Sequence, residues 1–444
     1  MKVHLTSLGC RLNEAELQTW SHAFSELGIE TTNQNELANL IVVNTCAVTG
    51  EAARKSRQTI RKLHRKNPTA KIVVTGCYAS LEKQQAESLL GVDLVVNNTD
   101  KSELPKRAAE LVEWDSMPYA ATEPAESAIF VRNRERAFIK IQDGCRYRCT
   151  YCIVTIARGE EVSRTIDDII NEVQLLEKQG VKEIVLTGVH VGGYGTDLET
   201  DLYALVESIL ERTSIPRVRF ASVEPWDLPE SFFELFKNKR LMPHMHLPIQ
   251  SGSDRILKKM SRRCKSESFL KLLEKARSID PSFNITSDII VGFPGESEQD
   301  FGLSKWMVAA AQFGHVHTFT YSKREGTKAA GLPEQVDEPL KKQRSRELHL
   351  IAKNVQKNVA ALMIGQVCNI LWEGAGQPSE NGAVKYYGYT PNYHKVCAEV
   401  TSSIKLTNQI LECRIDSVNE SGVLFGTLLE LPKGSNQELF VKQV

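Results

Sequence analysis

No stretch of this 444-residue sequence stays apolar long enough to cross a bilayer. The opening Met1-Lys-Val-His-Leu-Thr-Ser-Leu8 runs straight into a strand pattern, without the apolar core of a signal peptide. A membrane or secreted reading therefore loses its usual supports, and a cytoplasmic protein is expected. Excess charge of either sign is also missing. Lys and Arg together number 55, as do Asp and Glu, so any nucleic-acid surface has to be a local patch. Cysteine is not scarce. Ten cysteines in such a chain read as metal ligands and reduced core residues rather than a disulfide framework. The length allows roughly three domains.

The strongest local signal is Asp143-Gly-Cys-Arg-Tyr-Arg-Cys-Thr-Tyr-Cys152, which sets Cys145, Cys149 and Cys152 at CxxxCxxC spacing. Three thiolates can hold three corners of a 4Fe-4S cubane and leave the fourth iron open for chemistry. Zinc would ask for a fourth thiolate or imidazole nearby, and no Cys or His lies between Cys152 and His190. The preceding Ala137 to Gln142 reads as a strand, so the thiols follow a strand end, the usual catalytic edge of a barrel.

Upstream, strands are expected at Lys2 to Leu8, Leu40 to Asn44, Lys71 to Thr75 and Asp93 to Val96, with room for helices between them. That is the pattern of a parallel α/β sheet. One cysteine follows each of the first three strands: Cys10, Cys46 and Cys77. Parallel strands align their ends, so three thiols distant in sequence can meet at one sheet edge. Taken singly, each is equally an apolar strand-end residue. Acids are absent from Ala52 to Leu81, where eight Lys and Arg fall. A helix over Ala52 to Lys66 would carry Arg54, Arg57, Arg61 and Arg65 on one side, as an RNA phosphate track or as a solvated surface.

Asp115 to Ser127 is rich in Pro, Ala and Ser and reads as a linker. The expected domains are 1–115, a linker at 116–130, a core at 131–364 and a small β-rich domain at 365–444. Within the core, strands at Phe138 to Gln142, Glu183 to Thr187, Arg217 to Ser222, His244 to Ile249, Asn284 to Val291 and His317 to Tyr321 alternate with helices, giving six βα units of a partial barrel. Their loops carry polar and Gly-rich turns. A helix from about Glu338 to Ile364 leads into the last domain. Its aromatics, Tyr386 to Tyr393, suit either base stacking or a core. That domain carries six Lys and Arg against eight Asp and Glu, which argues against purely electrostatic RNA binding. Cys264, Cys368, Cys397 and Cys413 lack ligand spacing and read as packing residues.

The CxxxCxxC loop resembles the radical S-adenosylmethionine (SAM) enzymes, and the whole chain resembles their methylthiotransferase group. That group joins a three-cysteine N-terminal domain, a partial barrel and a TRAM-type RNA-binding β-barrel. Asn44 to Gln58, Thr150 to Val154, Ala157-Arg-Gly159 and Tyr321 to Thr327 are most similar to the branch acting on N6-threonylcarbamoyladenosine in tRNA. Thr155, where relatives often have proline, and Glu161 to Arg164 depart from the pattern.

The resemblance implies two 4Fe-4S clusters, one on Cys145, Cys149 and Cys152 that splits SAM to a 5′-deoxyadenosyl radical, and one on Cys10, Cys46 and Cys77 that handles sulfur. It implies SAM contacts at Gly188, Ser222, Glu224, Gln250, Asp288, Gly292 and Glu296. A tRNA substrate, a flavodoxin- or ferredoxin-type electron donor, a sulfur source and no membrane complete the expectation. Arg54-Lys-Ser-Arg57 is the expected partner of the threonylcarbamoyl group. The alternatives are an isopentenyladenosine tRNA, a ribosomal protein substrate, or a non-catalytic iron-sulfur RNA-binding protein.

Overall fold

The computed structural model describes residues 1–112, 135–379, 382–401 and 404–430. The expected linker at 116–130 lies outside the described residues. The N-terminal unit runs β1 (Lys2–Ser7), α1 (Arg11–Glu26), β2 (Glu30–Thr31), β3 (Leu40–Thr45), α2 (Gly50–Lys66), β4 (Lys71–Gly76), α3 (Cys77–Leu81), α4 (Lys83–Glu87), β5 (Leu94–Val96) and α5 (Leu104–Glu110). Its sheet has the order β2-β1-β3-β4-β5, all parallel. The β3 run Leu-Ile-Val-Val-Asn-Thr is buried throughout, as a strand covered on both faces requires.

The central unit runs β6 (Arg136–Lys140), β7 (Gln142–Asp143), α6 (Val154–Arg158), β8 (Val162–Ser163), α7 (Ile166–Lys178), β9 (Glu183–Thr187), α8 (Leu202–Arg212), β10 (Arg217–Phe220), β11 (His244–His246), α9 (Asp254–Lys259), α10 (Ser266–Ile279), β12 (Asn284–Val291), α11 (Glu298–Ala311) and β13 (His315–Thr320). Parallel ladders join β6-β9-β10 and β11-β12-β13. Bridges Val218 to Leu241 and Ser222 to His246 connect the two halves. The result is a six-stranded partial barrel wrapped by helices over one large apolar core. Residues alternate along each strand. Asn284, Thr286 and Asp288 line the barrel lumen, while Ile285 and Ile289 pack outward into the core.

A long helix, α12 (Glu338–Ala361), leads to β14 (Val367–Pro378), β15 (Val384–Tyr389), β16 (Lys395–Val400), β17 (Ile410–Val418) and β18 (Leu424–Leu428), which close into a small barrel. Trp372 fills its core. Tyr389 and Tyr393 do not stand free for base stacking; they stack on each other at 4.9 Å beneath the larger barrel. Arg136 lies 4.4 Å above the Tyr389 ring and Arg219 lies 4.6 Å from that of Tyr393. Cys264, Cys397 and Cys413 are buried packing residues, and Cys368 is half-buried. No helix among the described residues is long and apolar enough to cross a membrane.

Candidate active site

The first thiol group forms because β1, β3 and β4 are neighbours in register, with Ser7 beside Asn44 and Asn44 beside Thr75. Cys10, Cys46 and Cys77 follow these strands at one edge. Gly9 has φ +94°, and a Cβ there would lie 2.6 Å from Cys46 Sγ, so only glycine lets the Cys10 loop come this close. Ser56, on the buried side of α2, donates to the Cys46 carbonyl at 3.0 Å and accepts from the Cys46 amide at 3.1 Å. Cys10 is exposed, but to a cavity that it lines. Burial pushes the Cys46 thiol up to about 11 and raises that of Cys10.

The second group, Cys145, Cys149 and Cys152, occupies the loop after β6 and β7. Gly144, at φ +72°, turns the chain where a Cβ would meet the Glu160 carbonyl at 1.7 Å. Cys152 N–H donates to the Cys149 carbonyl at 3.0 Å, and Thr150 is tied to Lys259 and Met260. Burial pushes Cys145 to about 12 and Cys152 to about 11. A soft cation that accepts thiolates, as an iron-sulfur cluster does, fits such a three-thiol set.

Around Cys145 lies an acidic pocket in which sequence reasoning picked out Glu224 but not His190, Glu161 or Asp227. His190 bonds Glu161 on one nitrogen and Asp227 on the other, the latter at 2.6 Å. Burial works against its imidazolium, but Asp227, Glu224 and Glu161 outweigh it and hold the ring above its usual range. Tyr147 donates to Asp227 at 2.7 Å and meets His190 edge to face. Burial raises the carboxyl of Glu224, whose Oε2 is buried with no hydrogen-bond partner. An orphaned acceptor there fits a ligand hydroxyl such as those of a ribose.

The other expected SAM residues divide. Gly188, Ser222 and Asp288 line the cavity that also touches Cys10. Gln250 lies buried at φ +73°, its amide donating to the Asp288 carbonyl at 2.9 Å. Glu296 accepts from Gly292 N–H and from Arg344, both at 2.7 Å, so its carboxylate braces α12. The expected threonylcarbamoyl contacts are committed elsewhere. Ser56 is fully buried under Cys46, and Arg57 pairs with Glu82 at 3.7 Å and Gln85 at 3.2 Å.

A buried ionic network joins the two thiol groups. Arg158, fully buried, donates to Glu16 at 3.0 Å, to both oxygens of Asp143 at 2.9 and 3.0 Å, and to Asn13 at 2.8 Å. Lys101 donates to Glu16 at 2.6 Å and Lys140 to Asp143 at 2.6 Å. Three cations thus face two carboxylates, leaving one positive charge beside Cys10 and Cys77. A surplus buried cation calls for an anion, which a thiolate-ligated cluster supplies.

Two family models match the chain: the Radical SAM superfamily over residues 139–303, and Uncharacterized protein family UPF0004 over residues 2–97. The chain is 35% identical over 408 residues to the threonylcarbamoyladenosine tRNA methylthiotransferase MtaB of Bacillus subtilis, covering 90% of each. It is 33% identical over 438 residues to the tRNA-2-methylthio-N(6)-dimethylallyladenosine synthase of Ehrlichia chaffeensis, covering 95% of this chain and 98% of that one. A solved structure of the radical SAM methyltransferase TsrM from Kitasatospora setae, with cobalamin and a [4Fe-4S] cluster, shares the fold at TM-score 0.56 and 15% identity over 74% of each chain.

Proposed function

Because this chain belongs to the radical SAM tRNA methylthiotransferases, we propose that it adds a methylthio group to C2 of N6-threonylcarbamoyladenosine beside the tRNA anticodon. The carrying observation is one cavity of about 870 Å³ that touches Cys10 of the first thiol group, Gly188 and Ser222 just past their barrel strands, and Asp288 within β12. A nucleoside fits that volume. Cys145, Cys149 and Cys152 would hold one 4Fe-4S cluster, and Cys10, Cys46 and Cys77 a second. When bound, the clusters and SAM supply the radical and sulfur chemistry that no side chain of this chain can provide.

The chain's own residues orient and shield. Glu224 offers an unused acceptor beside Cys145, and His190, clamped between Glu161 and Asp227, fixes that pocket's wall. Gln142 accepts from the amides of Val189 and His190 at 3.0 and 2.9 Å, and donates to the Gly144 carbonyl at 2.6 Å. One side chain thereby locks the thiol loop to the Gly188 loop. The network around Arg158 holds the two thiol groups at a fixed separation, which a transfer between two centres requires.

The reaction takes place in the cytoplasm, with a small flavin or iron-sulfur protein as electron donor and a separate sulfur source. Purified, anaerobically reconstituted protein should methylthiolate tRNA bearing threonylcarbamoyl and leave isopentenyl and unmodified adenosine unchanged. Equal turnover on the isopentenyl substrate would move the chain to the other branch.

A further inference from the structure

The cavity that begins at Cys10 continues down the barrel lumen to Tyr389 and Tyr393 of the small barrel, which close its floor. Its wall carries charge of mostly one sign. Among the described residues Arg11, Arg136, Arg219 and Lys395 line it with one carboxylate, Asp288, while Glu183 pairs with Arg136 and Arg219, and Glu373 with Arg136, from behind the wall. Imidazoles fill much of the rest. His244 and His246 alternate along β11, as His315 and His317 do along β13, so the period-2 pattern turns all four inward.

A further observation marks this lumen as built for an anion. Arg219 is 2% exposed; its Nε and Nη2 are spent on Glu183 and the Pro391 carbonyl, while Nη1 is buried without an acceptor. A buried guanidinium N–H with no partner is costly, and a negative ligand would remove that cost. Burial, then His315, push His317 down to about 4 while the Asp288 carboxylate beside it works the other way, so at neutral pH its imidazole is an uncharged donor.

We propose that the barrel lumen binds the carboxylate of an amino-acid substituent on N6 of the target adenine, with Arg219 and His317 as its principal donors. This rests on the substrate reading above. The dimensions agree. Ser222 and Arg219 are three strand residues apart, about 10 Å, and C2 of the adenine and the carboxylate of an extended threonylcarbamoyl group are roughly 9 Å apart. C2 can therefore stay at the strand ends near Cys10 while the carboxylate reaches Arg219. A backbone phosphate carries the same charge but flanks the base, so a substrate altered only at the carboxylate separates the two.

The test uses the full-length reconstituted protein and two anticodon stem-loops, one with threonylcarbamoyladenosine and one with its methyl ester, which keeps the shape and every phosphate. Binding by fluorescence anisotropy and single-turnover methylthiolation are both measured. Wild type should favour the acid by roughly 10- to 100-fold in Kd, the range of a charge-assisted hydrogen bond. His317→Phe and Arg219→Gln should each erase most of that preference. Arg219 also braces Glu183, so His317→Phe, at an open lumen position, keeps the test decisive if Arg219→Gln does not fold. Equal binding of acid and ester by wild type, or a preference that survives His317→Phe, would overturn the lumen site while methylthiolation of the acid still upheld the substrate. No methylthiolation of the acid by wild type would overturn the substrate reading and this inference with it.

Discussion

Arg158→Met removes the cation at the centre of the network joining the N-terminal sheet to the barrel while keeping much of the side-chain volume. Glu16 loses two Arg158 bonds, at 3.0 and 3.5 Å, but keeps Lys101 at 2.6 Å and Lys140 at 3.5 Å; Asp143 loses two bonds and keeps Lys140. Breaking a buried pair costs about 3–5 kcal/mol, and the surviving lysines hold the cost near the lower end. Amide exchange along α1 would then quicken about 150-fold, the equivalent of about 3 kcal/mol.

The pH dependence has a definite sign. Burial alone would raise both carboxyls, but Lys101, Arg158 and Lys140 hold Glu16 well below its usual range, and Arg158 and Lys140 lower Asp143. Depressed carboxylates stabilise fully above their unfolded values, about pH 4, and lose that contribution as pH falls through the folded values. Wild type and variant should therefore differ by the full amount near pH 7 and converge only below about pH 4, as the wild-type carboxylates take up protons. Exchange that quickens less than fivefold in α1, or a gap that widens in acid, would refute the account of this network as the interdomain tie.

Three further outcomes follow. Replacing Cys145, Cys149 and Cys152 by alanine should halve the bound iron and abolish SAM cleavage, whereas replacing Cys10, Cys46 and Cys77 should halve the iron and leave cleavage measurable; full iron in the second variant would remove the second cluster. On α2, Arg54, Lys55, Arg57 and Lys66 already pair with carboxylates, and among the described residues Arg61, Lys62 and Arg65 have no ion-pair partner. If those three contact phosphates, reversing their charge should flatten the log-log salt dependence of tRNA affinity by about 2 to 3, and an unchanged slope would leave α2 a solvated surface. Glu183, fully buried, is held at about 2 against burial by Arg136, Arg219 and Arg217. Glu183→Gln should cost about 3 kcal/mol at neutral pH, and in urea titrations the wild-type advantage should fade between pH 4 and pH 2.

Much of the fold was legible because strand periodicity is local. The expected Leu40 to Asn44 and Asn284 to Val291 match Leu40–Thr45 and Asn284–Val291, and the helix expected from Glu338 to Ile364 ends three residues earlier, at Ala361. The cysteines were legible because each follows a strand in a parallel sheet. The ionic network was not, since Glu16 and Arg158 lie 142 positions apart and nothing local in the sequence pairs them. The lumen did leave a signal: the His-x-His pairs at His244 and His315 put imidazoles on one strand face, an unusual choice for a core. On sequence alone Tyr389 and Tyr393 suit base stacking or, more often, a core; in the fold Arg136 and Arg219 pack against them.

The substrate is tested most directly by mass spectrometry of tRNA nucleosides from a strain lacking this gene and from the same strain complemented with it. The account predicts that 2-methylthio-N6-threonylcarbamoyladenosine disappears in the deletion, that its unthiolated precursor accumulates, and that complementation restores it, with 2-methylthio isopentenyladenosine constant throughout. Loss of the isopentenyl product with the threonylcarbamoyl product intact would contradict it.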